Sequence, residues 1–223
     1  MEISTDARFI ESLRYISRKF NLPVKQVGER YKLVLPLHID QDKYLDLIVH
    51  QVVTTMKGQY IYDKIKIKDS TLIRILVNYD KKTDIIIATT LIKITPVILL
   101  DALYDFGISK LKARWQEVVQ LVNDNHVKLV QKNLYNELLR FLILNMDHKT
   151  KEAHIMYLDR KTKICNSKLE PYQQTDPNII NTLIDLAPQQ IFIHVDQHLS
   201  TTLIKKIQAI FPNCVCIEYR TIS

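Results

Sequence analysis

Apolar residues near the start of the chain recur at helical spacing. Phe9, Leu13, Ile16 and Phe20 share one face, which predicts a helix from about Asp6 to Phe20. Asn21-Leu22-Pro23 supplies the stop. Tyr31 to Leu37 alternates and predicts a strand. Behind Asp40 or Asp42, the residues Leu45, Ile48, Val49, Val52 and Met56 again fall on one helical face, although a run so rich in Val and Ile also fits a strand. From Tyr60 to Thr95 the segments IYDKIKIKD, TLIRILVNYD and TDIIIATTLIKIT are β-branched and aromatic. They predict strands, with Asp80-Lys81-Lys82-Thr83 as a hairpin loop. After Pro96 a short helix is expected up to Phe106, with Gly107 at its C-cap. Ser109 then caps a helix that buries Leu111, Trp115, Val118 and Val122, and a further helix runs from His126 to about Arg140.

The C-terminal part is patterned more regularly. FLILNM, AHIMYL and ICNSKL are separated by polar turns, Asp147 to Lys151 and Asp159 to Lys163, and read as a three-stranded meander. Asp176 and Pro177 open a helix carrying Ile179, Ile180, Leu183 and Ile184, which Pro188 closes. QIFIHV reads as a buried strand, Ser200 caps another helix, and CVCIEY is the last strand. The expectation is an α/β protein with an α+β domain at 1–130 and a β-β-β-α-β-α-β domain at 131–223.

That order resembles RNase H-like domains. Within them, residues 138–220 are most similar to the connector domain of MutS-type mismatch-repair proteins and to the core of some insertion-sequence transposases. The likeness rests on LILNMDHKTKEAHIMYLD and LAPQQIFIHVDQHLSTTLIKKIQAIFPNCVCIEY, and it is one of pattern rather than of rare motif residues. A second likeness, to JAB-type deubiquitinase and RadC-like folds, covers the same region. The HxHP motif of those enzymes is replaced here by His194-x-x-x-His198 without the proline.

Composition narrows the chemistry. The 223 residues hold only three glycines, Gly28, Gly58 and Gly107, so neither GxGxxG nor GxxxxGK[ST] can be written, and GxSxG is absent. Phosphate-cradling loops and the serine-hydrolase elbow are thereby excluded. A net charge of +7 permits an anionic partner such as DNA or RNA, but no run of five like charges concentrates it. Three cysteines, an odd number, suit reduced thiols in an intracellular compartment better than a disulfide framework. No apolar stretch suggests a membrane partner, and the polar start MEISTDARF does not resemble a secretory signal.

The candidate residues follow. Lys64, Lys66 and Lys68 alternate with Ile65 and Ile67, so a strand there presents three lysines on one face, able to track phosphates or to protect a sheet edge. Lys149 and Lys151 sit in the first C-terminal turn, and Arg160 and Lys161 in the second; as opposite ends of a meander they need not form one patch. The RNase H resemblance implies, for an active enzyme, carboxylates holding two metal ions. By position these are Asp147, Asp185 and Asp196, and Mg²⁺ is the cofactor only in that alternative. Aspartates are also ordinary turn formers, so no catalytic residue is assigned. His194, Asp196 and His198, with Cys214 and Cys216, offer metal-ligand atoms, yet Cys-x-Cys on a strand is not a zinc knuckle and no metal is assigned. His148 and His154 have no partner at fixed spacing. The expected function is a non-catalytic, nucleic-acid-associated accessory protein. The alternatives are a protein-interaction or self-associating structural subunit, supported by the many large apolar residues, and a metal-dependent nuclease or transposase-like core.

Overall fold

The structure, a computed structural model, describes residues 1–36, 41–92, 95–124, 132–173 and 177–219. In chain order its elements are β1 (Glu2–Thr5), α1 (Ile10–Phe20), β2 (Lys25–Val27), β3 (Arg30–Val34), α2 (Gln41–Gln51), α3 (Lys57–Lys64), α4 (Ser70–Asn78) and α5 (Lys81–Leu91). Then come β4 (Val97–Leu99), α6 (Leu100–Ala102), α7 (Ser109–Asp124), α8 (Lys132–Leu144), β5 (Thr150–Leu158), β6 (Lys161–Cys165), α9 (Ile179–Leu186), β7 (Pro188–Val195), α10 (Thr201–Ile210) and β8 (Val215–Tyr219). Helices mixed with two mixed sheets make this an α/β protein. Leu37, Asp40, His126 and Asp176, named above as element ends or caps, lie outside the described residues. Among the described residues no helix is long and apolar enough to cross a membrane.

The chain forms two compact units, Met1–Ile65 with Lys81–Leu121, and Lys66–Asp80 with Val122–Ser223. Lys66–Asp80 thus groups with the C-terminal part, where a single cut near residue 130 assigns it to the first domain. In the first unit the sheet order is β2-β3-β1-β4. One row across it, Leu33–Ile3–Ile98, is buried in one cluster with Phe9, just before α1, and Leu13 and Ile16 of α1. The expected second helix is there: Ile48, Val49, Val52 and Met56 are buried, and α2 continues into α3 through a π-helical turn at Val52–Met56.

The three expected strands do not form. Lys57–Lys64 takes in IYDK, the first four residues of IYDKIKIKD, TLIRILVN falls in α4, and KKTDIIIATTL is α5. In α4 the buried Leu72, Ile75 and Leu76 stand at i, i+3 and i+4, and Asp69 caps the helix by accepting from the Leu72 N–H at 2.8 Å. FLIL of the expected FLILNM strand is likewise the end of α8, so the second unit runs α-β-β-α-β-α-β after α4, with two strands before α9. Gly107 is not a left-handed cap. It provides close approach instead, since a Cβ there would lie 2.7 Å from Leu103 Cδ1.

The second sheet has the order β6-β5-β7-β8, with β5/β6 antiparallel and β5/β7 and β7/β8 parallel. One face carries the row Ile164–Ile155–Ile193–Ile217 and, beside it, Ala153–Ile191–Val215. The crossovers β5 to β7 and β7 to β8 step in the same direction. α9 packs on β5, β6 and α4, and α8 packs on α4 and α10, so these helices form one layer. The opposite face holds Cys165, His154, Phe192 and Cys216 in one row.

Candidate functional site

The carboxyl ends of β5 and β7 lie along one edge of the second sheet, because the two strands are parallel. Ligands of open α/β sheets lodge at that edge. There β5 turns into β6 through Asp159 and Arg160, at φ +51° and +62°, between the paired residues Leu158 and Lys161. Positive φ at both central residues is the type I′ hairpin geometry, whose twist matches the strands. The five-residue loop expected at 159–163 is thus a two-residue turn. Asp159 receives the Lys163 ammonium, which holds its carboxyl below the usual carboxylate range. Arg160 and Lys161 stand exposed at the tip.

Tyr157 and His198 meet at the same edge, stacked with ring centroids 5.0 Å apart and planes at 27°. Asp196 places His198. Its Oδ1 accepts from the backbone N–H of His198 at 2.8 Å and of Leu199 at 3.0 Å, and Ser200 then caps α10. The edge thereby combines two exposed cations with an aromatic pair, the elements that grip a phosphate chain and its bases.

The remaining sequence candidates are placed as follows. Asp185, on α9, pairs with Arg74 of α4, and Asp147 lies between the Tyr79–Met146 bridge and β5. Among the described residues no three His, Cys, Asp or Glu side chains converge as a metal cage. Lys149 is tethered: its Nζ donates to Asn78 Oδ1 at 2.8 Å and to the Asp185 carbonyl at 2.9 Å. Burial pulls its pKa down, against the opposing attraction of Asp185 and Asp147. Lys151 is exposed near the start of β5, roughly 23 Å along the strand from Leu158, where the turn to Arg160 begins. The two pairs of basic residues therefore form no common patch. The lysine row is corrected too. Lys64 ends α3, while Lys66 and Lys68 lie in the connector before α4, so no strand aligns them. The Lys66 N–H is held by Asn123 Oδ1 at 2.8 Å.

On the face opposite α9 and α10, four ionisable side chains form a line across three strands. His154 Nδ1 and His194 Nε2 are 3.0 Å apart. His154 Nε2 is 3.4 Å from Glu152 Oε2, and His194 Nδ1 is 3.1 Å from Glu218 Oε2. The His154 ring is stacked on Phe192, 4.9 Å away at 12°. Spacing along the chain gives His154 no partner, because its partner stands one strand over and two residues along. A signal was present: AHIM and FIHV each carry one histidine within an apolar run. His194 and Asp196, candidates together in the sequence, do separate jobs, one in this line and one in the turn. Cys165 is buried and Cys216 exposed, and burial pushes the Cys165 and Cys214 thiols up.

No family model, curated protein or solved structure matches this chain.

Proposed function

We propose that the protein is a non-catalytic accessory protein that associates with nucleic acid through the carboxyl edge of its second sheet. The observation that carries this reading is the pairing of the exposed Arg160 and Lys161, on a tight turn, with the stacked Tyr157 and His198 at the same edge. The charge of +7 supports it by favouring encounter with a polyanion. Arg160 and Lys161 contact phosphates, and Tyr157 and His198 offer π-faces to unpaired bases. In the test, the full chain is titrated with single-stranded and duplex DNA and RNA at several salt concentrations. Affinity is expected to fall as salt rises, and the Arg160→Ala/Lys161→Ala variant is expected to flatten the log–log slope by about 0.7 to 0.9 per lost contact. No binding at low salt, or an unchanged slope in the double variant, overturns the reading.

A second reading, a protein-interaction subunit, has an observation of its own. In the first sheet Val34 and Val97 flank Glu2 and Leu99 flanks Ser4, and all three apolar residues are exposed on the face away from the core. It predicts salt-insensitive association with a protein, which the same titration series separates from nucleic-acid binding.

A further inference from the structure

Helices α8, α9 and α10 end at Leu144, Leu186 and Ile210, and the single residue Ala187, at φ +39°, turns α9 into the start of β7. At these helix ends lies a cavity of about 260 Å³, lined entirely by residues of the second unit. Its apolar wall is Ile143, Met146, Ile184, Ala187 and Phe211, all buried. The exposed His148, Gln189 and Asn213 and the half-buried Cys214 complete the lining, so the cavity opens to solvent on its polar side. It stands at the amino end of β7, whereas Tyr157, Arg160 and His198 stand at the carboxyl ends of the strands.

An apolar hollow with a few polar groups at its mouth is the usual form of a small-molecule site. Its size bounds the ligand. An apolar cavity of roughly 150 Å³ takes up benzene, so about 260 Å³ admits a fused bicyclic ring and little more. Its lining sets the charge. Among the described residues lining it none is Asp, Glu, Lys or Arg, and burial pushes the Cys214 thiol up, which keeps it neutral. An ionised ligand entering there loses its water and gains no counter-charge. The carboxamides of Gln189 and Asn213 each offer two donors and an acceptor at the mouth, enough to hold one polar group on the ring. Water against the apolar wall has few partners, so a ring displaces it with a gain in free energy.

We propose that this cavity is a binding site for an uncharged, mono- or bicyclic aromatic molecule with one hydrogen-bonding group. The ring lies against Met146, Ile184 and Phe211, and the polar group meets Gln189 or Asn213.

The experiment takes the full chain with ¹³C-labelled isoleucine and methionine methyl groups and titrates it with indole and, separately, with indole-3-carboxylate. Indole is expected to shift the Ile143, Met146 and Ile184 methyl signals saturably, with one molecule bound per chain. Met56 and Ile61 of the first unit are expected to stay unchanged. The carboxylate is expected to bind at least 10-fold more weakly, because its charge has no partner in the lining. The Gln189→Ala/Asn213→Ala variant is expected to weaken indole binding about 2- to 12-fold, the loss of one hydrogen bond. Cys214→Phe, which fills the mouth, is expected to abolish binding. If that variant fails to fold, alkylation of the unaltered protein by iodoacetamide decides: indole is expected to slow modification of Cys214 and to leave that of the exposed Cys216 unchanged. No saturable shift at about 10 mM indole overturns the proposal. So do shifts spread over both units, equal affinity for the carboxylate, or a Cys214 alkylation rate that indole does not alter.

Discussion

Asp84 shows how much one buried charge can govern in the first unit. Its Oδ2 accepts from the Lys57 ammonium at 2.7 Å and from the Trp115 indole N–H at 3.0 Å, and the Arg114 guanidinium lies 3.6 Å from Oδ1. The Lys57 and Asp84 side chains are 4% and 3% exposed. Removing water from both charges is costly, so the pair adds little net stability, but losing one partner strands the other. Asp84→Ala is therefore expected to destabilise the protein by about 3–5 kcal/mol, read as a lower denaturant midpoint. The Lys57→Met/Asp84→Leu double variant is expected to recover part of that loss, because the buried ammonium goes with its carboxylate while the Trp115 N–H and the Arg114 guanidinium still lose Asp84 as acceptor. Neither residue stands out in the sequence. Lys57 follows an apolar face, and Asp84 follows what reads as a hairpin loop.

At the scale of elements, α4 and α5 form from runs whose composition favours strands. Propensity is a weak preference that tertiary packing overrides. In α4 the apolar period and the Asp69 cap outweigh the β-branched residues. Four further contacts hold this region within the second unit. Thr71 bonds Asn181 at 3.0 Å, Arg74 pairs with Asp185, Lys149 bonds Asn78, and the Tyr135 hydroxyl donates to Asp69 at 2.6 Å. Burial and that carboxylate push the Tyr135 phenol up. The β5–β6 hairpin sets a preference of another kind against its residues. Left-handed backbone at a non-glycine residue costs roughly 1–2 kcal/mol, and Arg160 adopts it. Arg160→Gly is expected to raise stability by about 1 kcal/mol while lowering the salt slope of nucleic-acid binding by about one contact. Denaturant melts and salt titrations of one variant check both halves. A loss of stability would mean that the arginine side chain supports the turn.

For the whole molecule, the path of the chain matters more than its length. The second unit takes Lys66–Asp80 from within the span of the first, and α4 buries Leu72, Ile75 and Leu76 there. A fragment of residues 131–223 lacks that helix and leaves the partner faces of α8 and α9 bare. It is expected to show poor chemical-shift dispersion and to aggregate, and adding a peptide of residues 66–80 is expected to restore a folded spectrum. A well-dispersed spectrum from the fragment alone would mean that α4 is dispensable to the second unit.

Periodicity alone determined the α/β class, α1, the helical face from Leu45 to Met56, the helix that follows Pro177, the Ser200 cap, and the strands around AHIMYL, QIFIHV and CVCIEY. Each of these is written in neighbours a few residues apart, where hydrophobic spacing and capping act directly. Where β-branched composition and helical spacing disagreed, over residues 60–95 and at FLILNM, local pattern misled, since burial against distant residues outweighs propensity. Tertiary structure alone joined Lys66–Asp80 to the second unit, separated Lys64 from a strand row, buried Lys57 with Asp84, and brought His154 to His194 and Tyr157 to His198. Those pairings depend on strand register and chain crossing, which bring together residues tens of positions apart and leave no fixed spacing to read.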